Sequence, residues 1–209
     1  MPAKQKPDSP DRRERVLVIA CGMLAREVLA VKAQLALDHI DLTCLPAEYH
    51  FRPDRIAPEM DKAIVKAKAD GYRHIFAGYG DCGTGGILDR VLENHGVERM
   101  DGPHCFAFYQ GAAAFEAGGE RDMLAFYMTD FLCRHFDSFF MKPLGLDRHP
   151  ELIKDFFGNY EKVIYLAQTD DPALDRVAED AAKLLGLAFE RRFTGYGDLV
   201  PVMQSKALS

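Results

Sequence analysis

Three cysteines carry the first chemical signal. Cys21 follows the apolar run RVLVIA, Cys82 lies inside the glycine-crowded stretch GYGDCGTGG, and Cys105 follows His104 just beyond Pro103. Three thiolates with a vacant or water-filled fourth position suit a reactive Zn²⁺ that accepts a substrate thiol or oxygen, or a cluster iron left open to substrate. Their spacing is not that of the CxxC pairs of zinc ribbons and ferredoxins, so a shared site requires the fold to bring the three thiols together. Cys21, Cys82 and Cys105 are therefore the expected metal ligands. The opposing reading is that each packs as a small buried hydrophobe.

Three further residues could move protons near those thiols. Asp81 precedes Cys82, Glu27 falls one turn into the helix expected after Cys21, and His104 could serve as a fourth ligand or a general base. Adjacent residues of a strand point to opposite faces, so His104 and Cys105 share a site only if the strand has already ended. Gly78, Gly80 and Gly83 formally match a dinucleotide fingerprint between a strand and a helix. The loop lacks the Lys of a Walker sequence and carries an Asp where a phosphate would come near, so its amides are better used on the Cys82 thiolate. Gly22, Gly78, Tyr79, Gly80, Gly83 and Thr84 are the residues expected to line a bound ligand or cofactor. Cys44, inside a strand, and Cys133, among Phe131, Leu132 and Phe136, read as core.

The elements that must position these groups alternate. Residues 15–20 read as a buried strand, Leu24 to Leu37 as a helix, 40–45 as a strand, 53–69 as an amphipathic helix, 74–77 as a strand and 87–94 as a helix. Cys105 to Phe108 reads as a further short strand. Residues 162–167, 172–185 and 187–193 continue the series as strand, helix and strand. Such alternation predicts an α/β fold, a doubly wound and mostly parallel sheet of about six strands, Rossmann-like. The stretch 112–160 is rich in Phe and Tyr without a clear strand, and reads as a helical insertion or cap. Residues 1–14 read as a disordered leader, 15–203 as a single α/β domain and 204–209 as a tail. In a sheet of this kind the ligand crevice lies beyond the carboxyl ends of the strands, where the three cysteines are expected to meet.

Composition narrows the function classes. The 209 residues include 26 Lys and Arg against 32 Asp and Glu, a formal charge of −6 that argues against nucleic acid as a main partner. No apolar run approaches the length of a membrane span, and the polar, charged start is unlike a signal peptide, so a cytoplasmic protein is expected. Five cysteines, an odd number, fit a reducing compartment. Gly78-Tyr79-Gly80-Asp81 recurs as Gly195-Tyr196-Gly197-Asp198, each following a predicted strand.

Cys21-Gly22-Met23-Leu24 with Glu27, the loop Gly78-Tyr79-Gly80-Asp81-Cys82-Gly83, the pair His104-Cys105, Thr129-Asp130-Phe131-Leu132 and Phe157-Gly158-Asn159-Tyr160 together resemble the domain of unknown function family 1638 (DUF1638). Its bacterial and archaeal members are often encoded near corrinoid-dependent methyltransferase systems. The resemblance therefore implies methyl-group or corrinoid metabolism and admits corrinoid-methyltransferase partners, while it carries over no catalytic residue. Two functions follow as expectations. The first is a metal-binding enzyme whose cysteine-lined pocket holds Zn²⁺ and activates a thiol or other small substrate in methyl or one-carbon transfer. The second is a corrinoid, haem or iron–sulfur binding protein without its own catalysis. A homo-oligomer is the prior for either.

Overall fold

A computed structural model describes residues 11–207, apart from the side chains of residues 112, 120 and 121. The chain forms two compact units, Met1–Met100 with Val202–Ser209, and Asp101–Pro201. Each is described by itself.

The first unit holds β1 (Val16–Cys21), α1 (Ala25–Gln34), β2 (Ile40–Leu45), α2 (Pro53–Ala69), β3 (His74–Gly78), α3 (Ile87–His95) and β4 (Glu98–Arg99). Its sheet is parallel throughout, in the order β2-β1-β3-β4. All six residues of β1 are buried, which is why the sequence there is a continuous β-branched run instead of an alternating one. Burying each Val, Leu or Ile side chain of that strand contributes about 1.5–3 kcal/mol. In α2 the buried positions Ile56, Met60, Ile64 and Ala67 recur at helical spacing, Pro53 opens the helix, and the helix packs on both the sheet and α3.

The second unit holds α4 (Cys105–Gln110), α5 (Ala112–Asp122), β5 (Ala125–Thr129), α6 (Asp130–Phe136), α7 (Ile153–Phe157), β6 (Lys162–Ala167), α8 (Pro172–Leu185) and β7 (Ala188–Phe193). Its parallel sheet has the order β5-β6-β7. The helix α9 (Leu199–Lys206) begins in this unit and ends in the first. Asp171 caps α8 by accepting from the Ala173 amide at 2.9 Å, with Pro172 in the first turn and Gly186 ending the helix at φ 72°.

The α/β class and the parallel pairing agree with the sequence, but the single six-stranded, Rossmann-like sheet does not. The strands divide into a sheet of four and a sheet of three. Two local differences cause this. Cys105 to Phe108 is the start of α4, where Cys105, Ala107, Phe108 and Tyr109 are buried. A four-residue apolar run does not distinguish strand from helix by periodicity. The stretch 112–160, expected as a helical insertion, contains β5, an edge strand of the second sheet. Its sequence AFYMT is as aromatic as the helices around it, which hides it. Of the expected leader, residues 1–10 lie outside the described residues and Arg12–Glu14 form a short 3₁₀ turn. Of the expected tail, 204–206 belong to α9 and 208–209 lie outside the described residues. Among the described residues no helix is long and apolar enough to cross a membrane.

Candidate functional site

In the first unit the chain leaves β1 for β2 on one side and returns to β3 on the other, so the topological switch point lies between β1 and β3. Ligand crevices of open parallel sheets form at the carboxyl ends of such a pair, because the two following loops turn away to opposite faces. Cys21 is the last residue of β1 and is 4% exposed. Ala20 pairs with Gly78, so Cys21 and Tyr79 leave the sheet side by side. Tyr79 is 1% exposed.

The turn after Cys21 is tightly constrained. A Cβ at Gly22 would stand 3.0 Å from the Ala47 amide nitrogen and 3.1 Å from the Leu45 carbonyl oxygen, so only glycine lets this backbone pass the end of β2. A 3₁₀ turn, Gly22–Leu24, then leads into α1, whose first turn carries the buried carboxylate Glu27.

Asp81 organises the loop after β3. Its carboxylate accepts from the Thr84 hydroxyl at 2.9 Å, the Gly86 amide at 2.9 Å and the Gly85 amide at 3.2 Å. These donors, the Gly86 amide foremost, hold its pKa below the usual carboxylate range. The amides at the start of α3 that a phosphate would use are thus occupied by the chain's own carboxylate. Asp81 acts as the clamp of this loop. Thr84 is buried as the second half of that clamp, and a Cβ at Gly83 would stand 3.6 Å from the Pro53 side chain. The turns carrying Cys21 and Cys82 therefore both border the segment that leaves β2 and enters α2.

Cys82 has φ 49°, in the left-handed region that favours glycine. Holding a residue with a Cβ there costs roughly 1 kcal/mol or more, and such positions concentrate at functional sites. The loop has glycine at 78, 80, 83, 85 and 86, yet the strained position carries a thiol. Cys82 is partly exposed.

The other sequence-nominated groups lie elsewhere. Cys105 and His104 belong to the second unit, at the start of α4. His104 touches the Phe115 ring edge-on at 4.9 Å and the Phe106 ring at 5.3 Å, and Phe106 stacks on Tyr127 at 5.7 Å. Burial pushes the imidazole pKa below its usual value, which makes His104 neutral at pH 7. Among the described residues no three His, Cys, Asp or Glu side chains group where they could hold one metal ion. Of the three cysteines expected as ligands, Cys21 and Cys82 belong to the first unit and Cys105 to the second. Burial pushes the Cys44 thiol to about 11, with the neighbouring Cys21 adding to it, and the Cys133 thiol to about 12. Cys133 is a core group, whereas Cys44, within β2, is partly exposed.

Two polar networks of the second unit were not legible in the sequence. Asp130, 0% exposed at the end of β5, accepts from the Tyr165 hydroxyl at 2.7 Å, the Gln168 amide at 3.0 Å and the Thr169 hydroxyl at 2.5 Å, with Arg134 ion-paired at 3.5 Å. It ties β5 to the turn after β6. Asp122 accepts from Lys162 at 2.9 Å and from Arg192 at 2.6 and 3.0 Å, and Glu190 accepts from Lys162 at 3.0 Å and Arg192 at 2.7 Å. Strand register sets these pairings, and single-sequence spacing does not reveal register.

The echoed Gly195 to Asp198 turn is also structural. A Cβ at Gly197 would stand 2.2 Å from the Phe108 carbonyl oxygen, and the Asp198 amide donates to that oxygen at 2.7 Å.

A family model described as protein of unknown function (DUF1638) matches residues 44–203. That span contains the Gly78 to Gly86 loop, His104-Cys105 and the Asp130 network, and begins after Cys21 and Glu27. Neither the curated proteins nor the solved structures give a match. The match covers most of the chain, which therefore belongs to the DUF1638 family.

Proposed function

We propose that the first unit binds a small ligand at the carboxyl edge of its sheet, between the ends of β1 and β3, and acts on it with the thiols of Cys21 and Cys82. The reading is carried by Cys82, a thiol held at φ 49° in a glycine-rich loop, clamped by Asp81 beside the switch point that Cys21 also borders. A rigid, partly exposed thiol on a strained turn is arranged for nucleophilic attack, because the reacting sulfur is positioned before the substrate arrives.

We assign Glu27, buried in the first turn of α1 just after Cys21, to taking a thiol proton. Methyl or one-carbon transfer is the reaction class that joins a nucleophilic thiol to the family resemblance. In it a thiolate sulfur attacks the methyl carbon, a C–S bond forms, and the donor leaves with the bonding pair.

The test is the concentration dependence of labelling by small electrophilic fragments, read by peptide mass spectrometry. A bound ligand precedes reaction at a true site, so the rate at Cys82 should level off as fragment concentration rises, and the saturable phase should vanish in Cys82→Ser. Rates that stay linear for every fragment, and match those of the urea-unfolded chain, would contradict a binding site at this edge.

A further inference from the structure

The first unit has a concavity at the amino end of its sheet. This cleft, about 320 Å³, is bordered by the starts of β1, β3 and β4, the ends of α2 and α3, and the end of α9. Cys21 and Val16 stand at opposite ends of β1, so the cleft lies on the order of 16 Å from the thiol edge. It is a separate site and does not rest on the function proposed above.

Its charges are unbalanced. Lys68, Arg73 and Lys206 border it with Glu98 as the one carboxylate among the lining residues, together with the imidazoles of His74 and His95. Lys206 pairs with Glu98 and lies 5.2 Å from the centroid of the Phe76 ring, which fixes its position. Lys68 donates to the His95 carbonyl at 2.8 Å, and the His95 ring is bonded to Asp61 at 2.7 Å. Arg73 is exposed and has no ion pair among the described residues. Asp11 senses its charge, but that carboxylate is bound to Arg13 at 2.5 Å.

A larger cleft beside α2, about 600 Å³, shows the contrast. There Arg15 pairs with Asp41 at 2.5 Å, Lys66 with Asp70 at 2.5 Å, and Arg12 faces Asp70 at 3.9 Å. Each cation of that cleft faces a carboxylate, with Arg12 and Lys66 sharing Asp70, so one positive charge remains over there. In the smaller cleft the three cations Lys68, Arg73 and Lys206 stand against Glu98 alone among the lining carboxylates, and Arg73 has no carboxylate partner among the described residues. That excess stands out on a chain whose formal charge is −6.

We propose that the cleft at the amino ends of β1, β3 and β4 binds a small phosphate-bearing anion, with Lys68, Arg73 and Lys206 as the contacting cations. A phosphomonoester carries about −1.5 to −2 at pH 7, which matches the local excess. The Arg73 guanidinium can meet two phosphate oxygens at once, and the two ammonium groups act as point charges. The volume is at the lower end of ligand pockets, roughly 300–1,000 Å³, and fits a phosphate with a small organic group.

Isothermal titration of the full chain with inorganic phosphate tests this, using wild type, Arg73→Ala and the control Arg12→Ala from the larger cleft, where Arg12 faces Asp70. The expected result is one site per chain, weakened at least about tenfold in Arg73→Ala, unchanged in Arg12→Ala, and weakened by added salt. Arg73 and Arg12 are both exposed, so both variants should fold. Absence of phosphate binding by wild type at millimolar concentration would overturn the proposal. Equal weakening by the two substitutions would overturn it as well, since it would mean a diffuse charge effect.

Discussion

Thiol reactivity offers a selective measure of this site, because the five cysteines differ in burial by an amount that can be turned into rates. Burial lifts Cys44 from the ordinary 9.0 to about 11 and Cys133 to about 12. Only the thiolate attacks an alkylating agent. At pH 8 these two thiols should therefore hold about 100-fold and 1,000-fold less thiolate than an unperturbed cysteine, before any steric protection is added. Cys82 is partly exposed on its clamped loop. The assay is differential isotopic labelling with iodoacetamide, native protein against urea-unfolded protein, with each cysteine followed by its own peptide. The expected native order places Cys82 well ahead of Cys44 and Cys133, while the unfolded chain shows all five alike. Raising the pH should speed Cys44 about tenfold per unit until its pKa is approached. Native labelling of Cys44 or Cys133 within about tenfold of Cys82 at pH 8 would refute the argument that burial silences them.

Three substitutions test other parts of the account. The carboxyl of Asp122 is held at about 2 by Arg192 and Lys162, against 3.8 unperturbed, which corresponds to roughly 2 kcal/mol of stability at pH 7. Because the folded-state value is depressed, this contribution is complete above about pH 4 and is lost as pH falls toward 2. Urea unfolding of Asp122→Asn should show the deficit at neutral pH and a converging stability in acid. In Asp81→Asn the Thr84, Gly85 and Gly86 donors lose a charged acceptor, a cost of about 1–3 kcal/mol, and the saturable labelling of Cys82 should weaken with the loosened loop. Its stability deficit should likewise shrink as pH falls through the carboxylate range. Gly197→Ala places a Cβ against two carbonyl oxygens at φ 49°, and should lower unfolding free energy by more than about 2 kcal/mol without changing the labelling rate of Cys82.

Legibility in the sequence follows the physics of each element. β1, β3 and β6 announce themselves as short runs of apolar residues because they are central strands buried on both sides. α2 and α8 are legible through their periodic apolar faces and terminal residues. β5 and α4 are not, since aromatic residues serve strands and helices equally and neither segment is long enough for its period to show. That pair of ambiguities is enough to fuse two sheets into one. Cys21 and Cys82 are recognisable as strand-end thiols from local sequence alone. A shared site with Cys105 depends on which strands join one sheet, and Cys105 opens a helix of the other unit. The role of Asp81 escapes for a different reason: its partners are backbone amides four and five residues onward, and residue types do not specify amide directions.

The most direct measurement is a backbone amide map of the ¹⁵N-labelled chain titrated with a library of small fragments. The account predicts that bound fragments shift the amides of 21–24 and 79–86, around the β1/β3 switch point, and that Cys82→Ser weakens those that depend on the thiol. Fragments that bind reproducibly elsewhere while both turns remain silent would contradict a ligand site at the carboxyl edge of the first sheet.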